Sequence, residues 1–231
     1  MTLWIRLALL FGIALGLMAC GQPKTAVPPQ AAQYSWLDDS PCTPPCWQGI
    51  IPGTTTITAT VDLLKANPTI RRVIRYNPTK TIRGDDYHID WNWARPSEDG
   101  GDAYAFHGSV VVDILFLGFD DTPIALTTIR ERFGAPSHAR LDAIPEAHGN
   151  AVMWKLELIY LDRGMVLVDI SSTPPLLETL MIDRVYFTQP DATHILAPVS
   201  DTRSLYVWRE GAPLTIYCDE NYNPERCRSF Q

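Results

Sequence analysis

Hydrophobic and polar positions along this chain change period several times, and each change marks an element. Pro52-Gly53 is a turn signal, and Thr54, Thr55 and Thr56 after it are helix N-cap candidates. Ile57, Val61 and Leu64 recur at i, i+4 and i+7, which is one face of a helix. Asn67-Pro68 ends it, because a residue before proline avoids the α region. Three strand-like runs follow: a short one from Arg72 to Tyr76, one from Tyr87 to Trp93, and a longer Val-, Ile- and Phe-rich one from Ala103 to Phe116. The middle run alternates, with Tyr87, Ile89, Trp91 and Trp93 on one face and His88, Asp90 and Asn92 on the other. A loop over 95–102 separates the last two runs, and Gly100-Gly101 is read as part of it.

A similar order then recurs. Asp121, Thr122 and Pro123 read as a helix start, with proline tolerated in the first turn. Leu126, Ile129 and Phe133 give the helical face, Gly134 the C-cap, and Pro136 bars continuation. Strand-like runs follow from His138 to Ile144, Ala151 to Leu161, Met165 to Ser171 and Leu180 to Thr188, with a hairpin turn at Asp162-Arg163-Gly164. In the second of these, Val152, Trp154, Leu156, Leu158 and Tyr160 form the core face, and Met153, Lys155, Glu157, Ile159 and Leu161 point the other way. The chain thus predicts an α+β fold with antiparallel sheet and two short helices, whose starts lie about 68 residues apart. That order fits two tandem helix-plus-sheet units over 41–120 and 121–190, or a single α+β domain whose elements alternate. A C-terminal extension with a disulfide loop occupies 191–231.

The N-terminal segment differs from the rest. Leu7 to Met18 is an apolar stretch behind Arg6. It is too short to span a hydrocarbon core, which needs roughly 20 apolar residues, and suits the h-region of a signal peptide over 1–19. Leu17-Met18-Ala19-Cys20 resembles the bacterial lipobox. The resemblance implies cleavage before Cys20, a diacylglycerol (and palmitate) on its sulfur, and lipid anchorage on the extracytoplasmic face of a cell membrane. Residues 20–40 then form the lipidated N-terminus and tether, with Pro23, Pro28 and Pro29 in a stretch poor in large apolar groups.

Charge narrows the partners. The chain has 19 Lys+Arg against 26 Asp+Glu, a formal net charge of −7, and loses Arg6 with the leader. This balance argues against nucleic acid and against anionic lipid as electrostatic partners. The basic group at Arg71, Arg72 and Arg75 reads as a solvated strand face.

Cys42, Cys46, Cys218 and Cys227 are an even set once Cys20 is lipidated, and in an oxidising compartment they predict two disulfides. The local pairings, Cys42–Cys46 around Thr43-Pro44-Pro45 and Cys218–Cys227, compete with a pairing that staples the start of the domain to its end. A tetrathiolate zinc site lacks the usual paired knuckles, so neither a metal nor a cofactor is expected.

Cys46-Trp47-Gln48-Gly49-Ile50-Ile51-Pro52-Gly53-Thr54-Thr55 resembles the opening of many uncharacterised bacterial lipoproteins. The stretch is more weakly similar to the SmpA/OmlA small lipoproteins of outer-membrane assembly and to the β-lactamase-inhibitor fold, a tandem repeat of a helix-plus-sheet unit. These last two resemblances imply protein binding. The chain departs from the small lipoproteins in having two units and an extension.

Candidate chemistry is sparse. The histidines, His88, His107, His138, His148 and His194, hold no metal-ligand spacing, though His88 and His107 fit adjacent strands. Glu98, Asp99 and Asp102, with Asp85 and Asp86, are a carboxylate cluster without EF-hand spacing, so a solvated loop is expected rather than calcium. Asp113, Glu157 and Asp169 lie in strand runs and are acid/base candidates. Tyr87, Trp91 and Trp93 share a face, as core or as a binding platform for a glycan or peptide. The sequence therefore predicts a membrane-anchored binding or envelope-scaffold module with a protein or glycan partner; the alternative is an extracytoplasmic hydrolase using strand carboxylates such as Asp113 or Glu157.

Overall fold

A computed structural model describes residues 34–39, 41–82, 84–94, 100–119, 122–145, 152–190 and 206–218. The expected signal peptide over 1–19, Cys20, Cys227, Glu98, Asp99, His148 and His194 lie outside these described residues. No helix among the described residues is long and apolar enough to cross a membrane.

The fold is α+β and dominated by antiparallel sheet. Helix α1 is Ile57–Ala66, capped by the Thr56 side chain, which accepts from the Ala59 amide at 3.1 Å. Strands β1 (Ile70–Arg75), β2 (Thr79–Thr81), β3 (Gly84–Trp93), β4 (Gly100–Ala105), β5 (Ile114–Gly118) and β6 (Ile124–Ala125) follow. Helix α2 is Leu126–Phe133. Then come β7 (His138–Pro145), β8 (Val152–Tyr160), β9 (Met165–Ser171), β10 (Met181–Ile182), β11 (Arg184–Thr188) and β12 (Tyr206–Val207). The main sheet runs β1-β3-β4-β5-β11-β9-β8-β7-β12, with β2 also on β3, while β6 and β10 pair separately. At the middle of the sheet β5 meets β11, with Phe116 opposite Tyr186.

One face of this sheet packs on the helices. Ile57, Thr60, Val61 and Leu64 from α1 and Leu126 and Ile129 from α2 are buried. They join Ile89, Trp91, Trp93, Leu115, Leu117, Leu141, Leu156, Leu158, Val185 and Phe187 in one core. Trp154, Leu156, Leu158 and Tyr160 are on this side, as their alternation predicts.

Several boundaries differ from the sequence reading, each for a tertiary reason. The run from Ala103 to Phe116 is two strands, not one, because the chain reverses over 106–113, where His107 (φ 56°) and Gly108 (φ 79°) turn left-handed and the Asp113 carboxylate accepts from the Phe106 amide at 2.7 Å. Thr122-Pro123 does not start α2. Ile124-Ala125 first pairs with Met181-Ile182, and the helix begins at Leu126 without a side-chain cap. That same pairing splits the run from Leu180 to Thr188 into β10 and β11. Gly100-Gly101 opens β4 instead of lying in a loop, because Gly101 pairs with Trp91 and a Cβ there would lie 2.3 Å from the indole. Residues 34–39, expected within the tether, belong to the described fold: Trp36 is fully buried against Phe119, Phe133 and Phe187.

The Cys46–Thr55 motif has a structural explanation. Cys42 and Cys46 form a disulfide, Cα to Cα 5.6 Å, which excludes the pairing of either with the C-terminal cysteines. Cys218 is also disulfide-bonded. Trp47 and Ile50 exchange backbone hydrogen bonds at 3.0 and 2.8 Å around Gln48 and Gly49, both at positive φ. The turn points Trp47 into the core, where its ring stacks on Trp91 and meets Trp93 edge-on, each with centroids 5.7 Å apart.

Candidate functional site

Trp91 and Trp93 are not a platform. Both are 1 % exposed, held beneath Trp47 by the motif turn, so this pair has no face left for a ligand. Tyr87 is half-buried on the same side, with the Arg75 guanidinium 5.7 Å over its ring.

The sheet's other face, which carries no described helix, holds the residues that alternate with them. Tyr76, just past β1, His88 on β3 and Tyr104 on β4 stack in a row. Tyr76 and His88 are 4.7 Å apart at 8° between planes, and His88 and Tyr104 4.6 Å at 2°. Phe106 extends the row at 5.9 Å, and Phe116 and Tyr186 continue the aromatic face across the join between β5 and β11. Carboxylates line the edge of the row. The Tyr76 hydroxyl donates to Asp90 at 2.6 Å, and His88 Nε2 lies 2.7 Å from Asp102. Cross-strand neighbours on one face are what bring these groups together: Asp90 sits opposite Asp102, and His88 opposite Tyr104.

Rings this close and this parallel use their faces on each other and turn their edges outward. The row therefore offers solvent a comb of hydroxyl, imidazole and carboxylate groups. Asp90 Oδ1 is itself buried, with no hydrogen-bond partner among the described residues. The setting shows in the titration of the phenols. The hydrogen bond to Asp90 raises the Tyr76 pKa, and burial followed by the Asp102 charge pushes Tyr104 up to about 12. Burial also raises Tyr186.

A second polar group lies on the same face in β7 and β8. The Arg140 guanidinium ion-pairs with Glu157 and lies 3.5 Å from Asp142, and Lys155 reaches Glu157 at 2.5 Å. Arg140, Asp142 and Glu157 are 2–3 % exposed, although strand alternation predicts a solvent-facing position for Glu157. Ile159, Val166 and Val168 form a small apolar cluster on this side.

The three acid/base candidates do not converge. Asp113 holds the turn between β4 and β5, and Glu157 belongs to the Arg140 cluster. Asp169 lies opposite Leu156, on the helix-packed side, where burial raises its pKa against the opposing effects of a Ser171 hydrogen bond and Arg184. His88 and His107 do not pair: the His107 amide donates to Asp86 instead. Among the described residues no three His, Cys, Asp or Glu side chains are placed to hold a metal ion. One open cleft of about 310 Å³, lined by Leu37, Asp38, Thr128, Glu131 and Arg132, lies between the N-terminal turn and α2.

The sequence pointed to Tyr87, Trp91 and Trp93 and missed the row behind them. Its signal was the other half of the same alternation, His88 and Asp90, but Tyr76 and Tyr104 join it only once three strands are in register. No protein-family model matches this chain, and searches of curated proteins and of solved structures return no match.

Proposed function

We propose that this protein is a non-enzymatic binding module, tethered by lipid on Cys20 to the extracytoplasmic face of a cell membrane, and that it binds through the sheet face that carries no described helix. The observation that carries the reading is the Tyr76–His88–Tyr104 row with Asp90 and Asp102 along its edge. Directional donors and acceptors on a rigid sheet suit a polar partner, a glycan or a peptide, better than an apolar one. A hydrolase built on Asp113, Glu157 or Asp169 is the weaker reading, since each is engaged in a different part of the fold.

The architecture is read in the same way as two tandem units. α1 precedes β1, β3, β4 and β5, and α2 precedes β7, β8, β9 and β11. The second set enters the sheet in reverse order, as two units related by a two-fold at Phe116 and Tyr186 would.

Two experiments test the reading. Cys20→Ala should move the protein from the membrane to the soluble fraction and abolish labelling by radioactive palmitate; a membrane-bound, labelled variant would remove the anchor from the proposal. Glycan and peptide arrays should return a ligand whose signal falls at least tenfold in His88→Ala/Tyr104→Ala with folding intact. Ligands indifferent to that pair would remove the face.

A further inference from the structure

The sheet ends, among the described residues, on β1, whose outer side pairs with nothing. The Tyr76 amide donates to His88 at 3.0 Å, so in the antiparallel alternation Ile74 and Arg72 also face β3, while Val73 and Arg75 direct their N–H and C=O groups away from the sheet. β2 lies on the same side of β3 and prolongs this edge through Tyr76, Asn77 and Pro78. The edge over 70–81 carries Arg71, Arg72, Arg75 and Lys80 and no acidic residue, in a chain with 26 acidic and 19 basic side chains. Among the described residues none of these four is in an ion pair. The arginines straddle the strand: Arg72 shares the face of Tyr76, and Arg75 lies over Tyr87 on the other.

We infer that β1 is a docking edge for an extended acidic segment of a partner protein, which adds as a further strand and places carboxylates against Arg72 on one face and Arg75 on the other. The inference rests on the binding-module reading and names a partner class for it. Charge at a sheet edge is a common guard against unwanted strand pairing, and here the guard is selective. It repels a second copy of the same basic edge, since like charges on paired strands are destabilising, and it admits an acidic strand. A bulge between Ile70 and Arg72 limits the pairing register to the segment from Arg72 onward. An anionic lipid surface also fits a basic edge, but it makes no use of the outward amides of Val73 and Arg75, and Lys80 sits opposite Asp85.

Fluorescein-labelled eight-residue peptides alternating glutamate with valine or threonine, titrated by anisotropy into the full chain, test this. The acidic peptide should bind and protect the Val73 and Arg75 amides from hydrogen exchange. The same peptide N-methylated at alternate residues, and a lysine-for-glutamate version, should bind at least tenfold more weakly. Arg72→Glu/Arg75→Glu should lose tenfold or more, and Arg75→Pro, which removes one outward donor and no ladder bond, should lose more than Arg75→Ala. Equal binding of the N-methylated peptide, no binding of the acidic one, or arginine-dependent binding to phosphatidylglycerol vesicles in its place would overturn the inference. If the acidic peptide fails while an array ligand still depends on His88 and Tyr104, only the edge is wrong and the binding module stands.

Discussion

Glu157→Gln is the substitution whose cost follows most directly from the structure. Glu157 is 3 % exposed and Arg140 is 2 % exposed, and their side chains are paired on the face that carries no described helix. Removing one member of a buried pair leaves its partner's charge desolvated, at about 3–5 kcal/mol. Asp142, 3.5 Å from Arg140, compensates part of this and sets the expectation at the lower end, about 3 kcal/mol. Arg140→Met removes the cation facing both carboxylates and should cost more, about 5 kcal/mol. In a chain of this size about 3 kcal/mol corresponds to a fall in Tm of roughly 6–12 °C. Arg140→Met/Asp142→Leu/Glu157→Leu extends the apolar cluster of Ile159, Val166 and Val168 and should recover most of the loss. Urea unfolding of the single and triple variants measures all three. If Glu157→Gln falls within about 1 kcal/mol of the parent, the range of an exposed pair, the reasoning from burial fails.

Three further outcomes are expected. Gly101→Ala puts a Cβ 2.3 Å from a Trp91 indole already stacked on Trp47, and should cost about 1–3 kcal/mol in urea unfolding. Asp169 has a pKa raised by burial, so its contribution to stability is full below the unfolded value and is lost as pH rises through the folded one. Asp169→Asn should therefore raise Tm at pH 7 while leaving it nearly unchanged at pH 3. Trp36→Ala empties a site between three phenylalanine rings and should cost about 3–5 kcal/mol, whereas a true tether residue there would cost nothing.

Local patterns were legible and long-range pairing was not. The helical spacing of Ile57, Val61 and Leu64 and the period-two run from Trp154 to Tyr160 both gave the right buried face, because each is decided within one element. The meeting of Phe116 with Tyr186 joins residues far apart in sequence and has no local signal. The Arg140 cluster misleads sequence reasoning for a related reason: alternation gives the side of the strand but not what shields it. Trp47 was visible only as part of a motif. Its place over Trp91 depends on a left-handed Gln48-Gly49 turn and on the small Gly101 that leaves the indole room.

The seating of Trp36 has a mechanical side. Among the described residues, a pull on the chain ahead of Tyr34 is met by a Tyr34 hydroxyl bonded to the Thr122 carbonyl and an indole wedged among Phe119, Phe133 and Phe187. Arg132 then clamps the next turn through Asp39 and the Leu37 carbonyl. The load falls on side chains that must shear together, not on a strand that unzips one rung at a time. Under the proposed anchorage, a pull from the membrane side would be spread over these side chains while the far edge of the sheet stays undistorted.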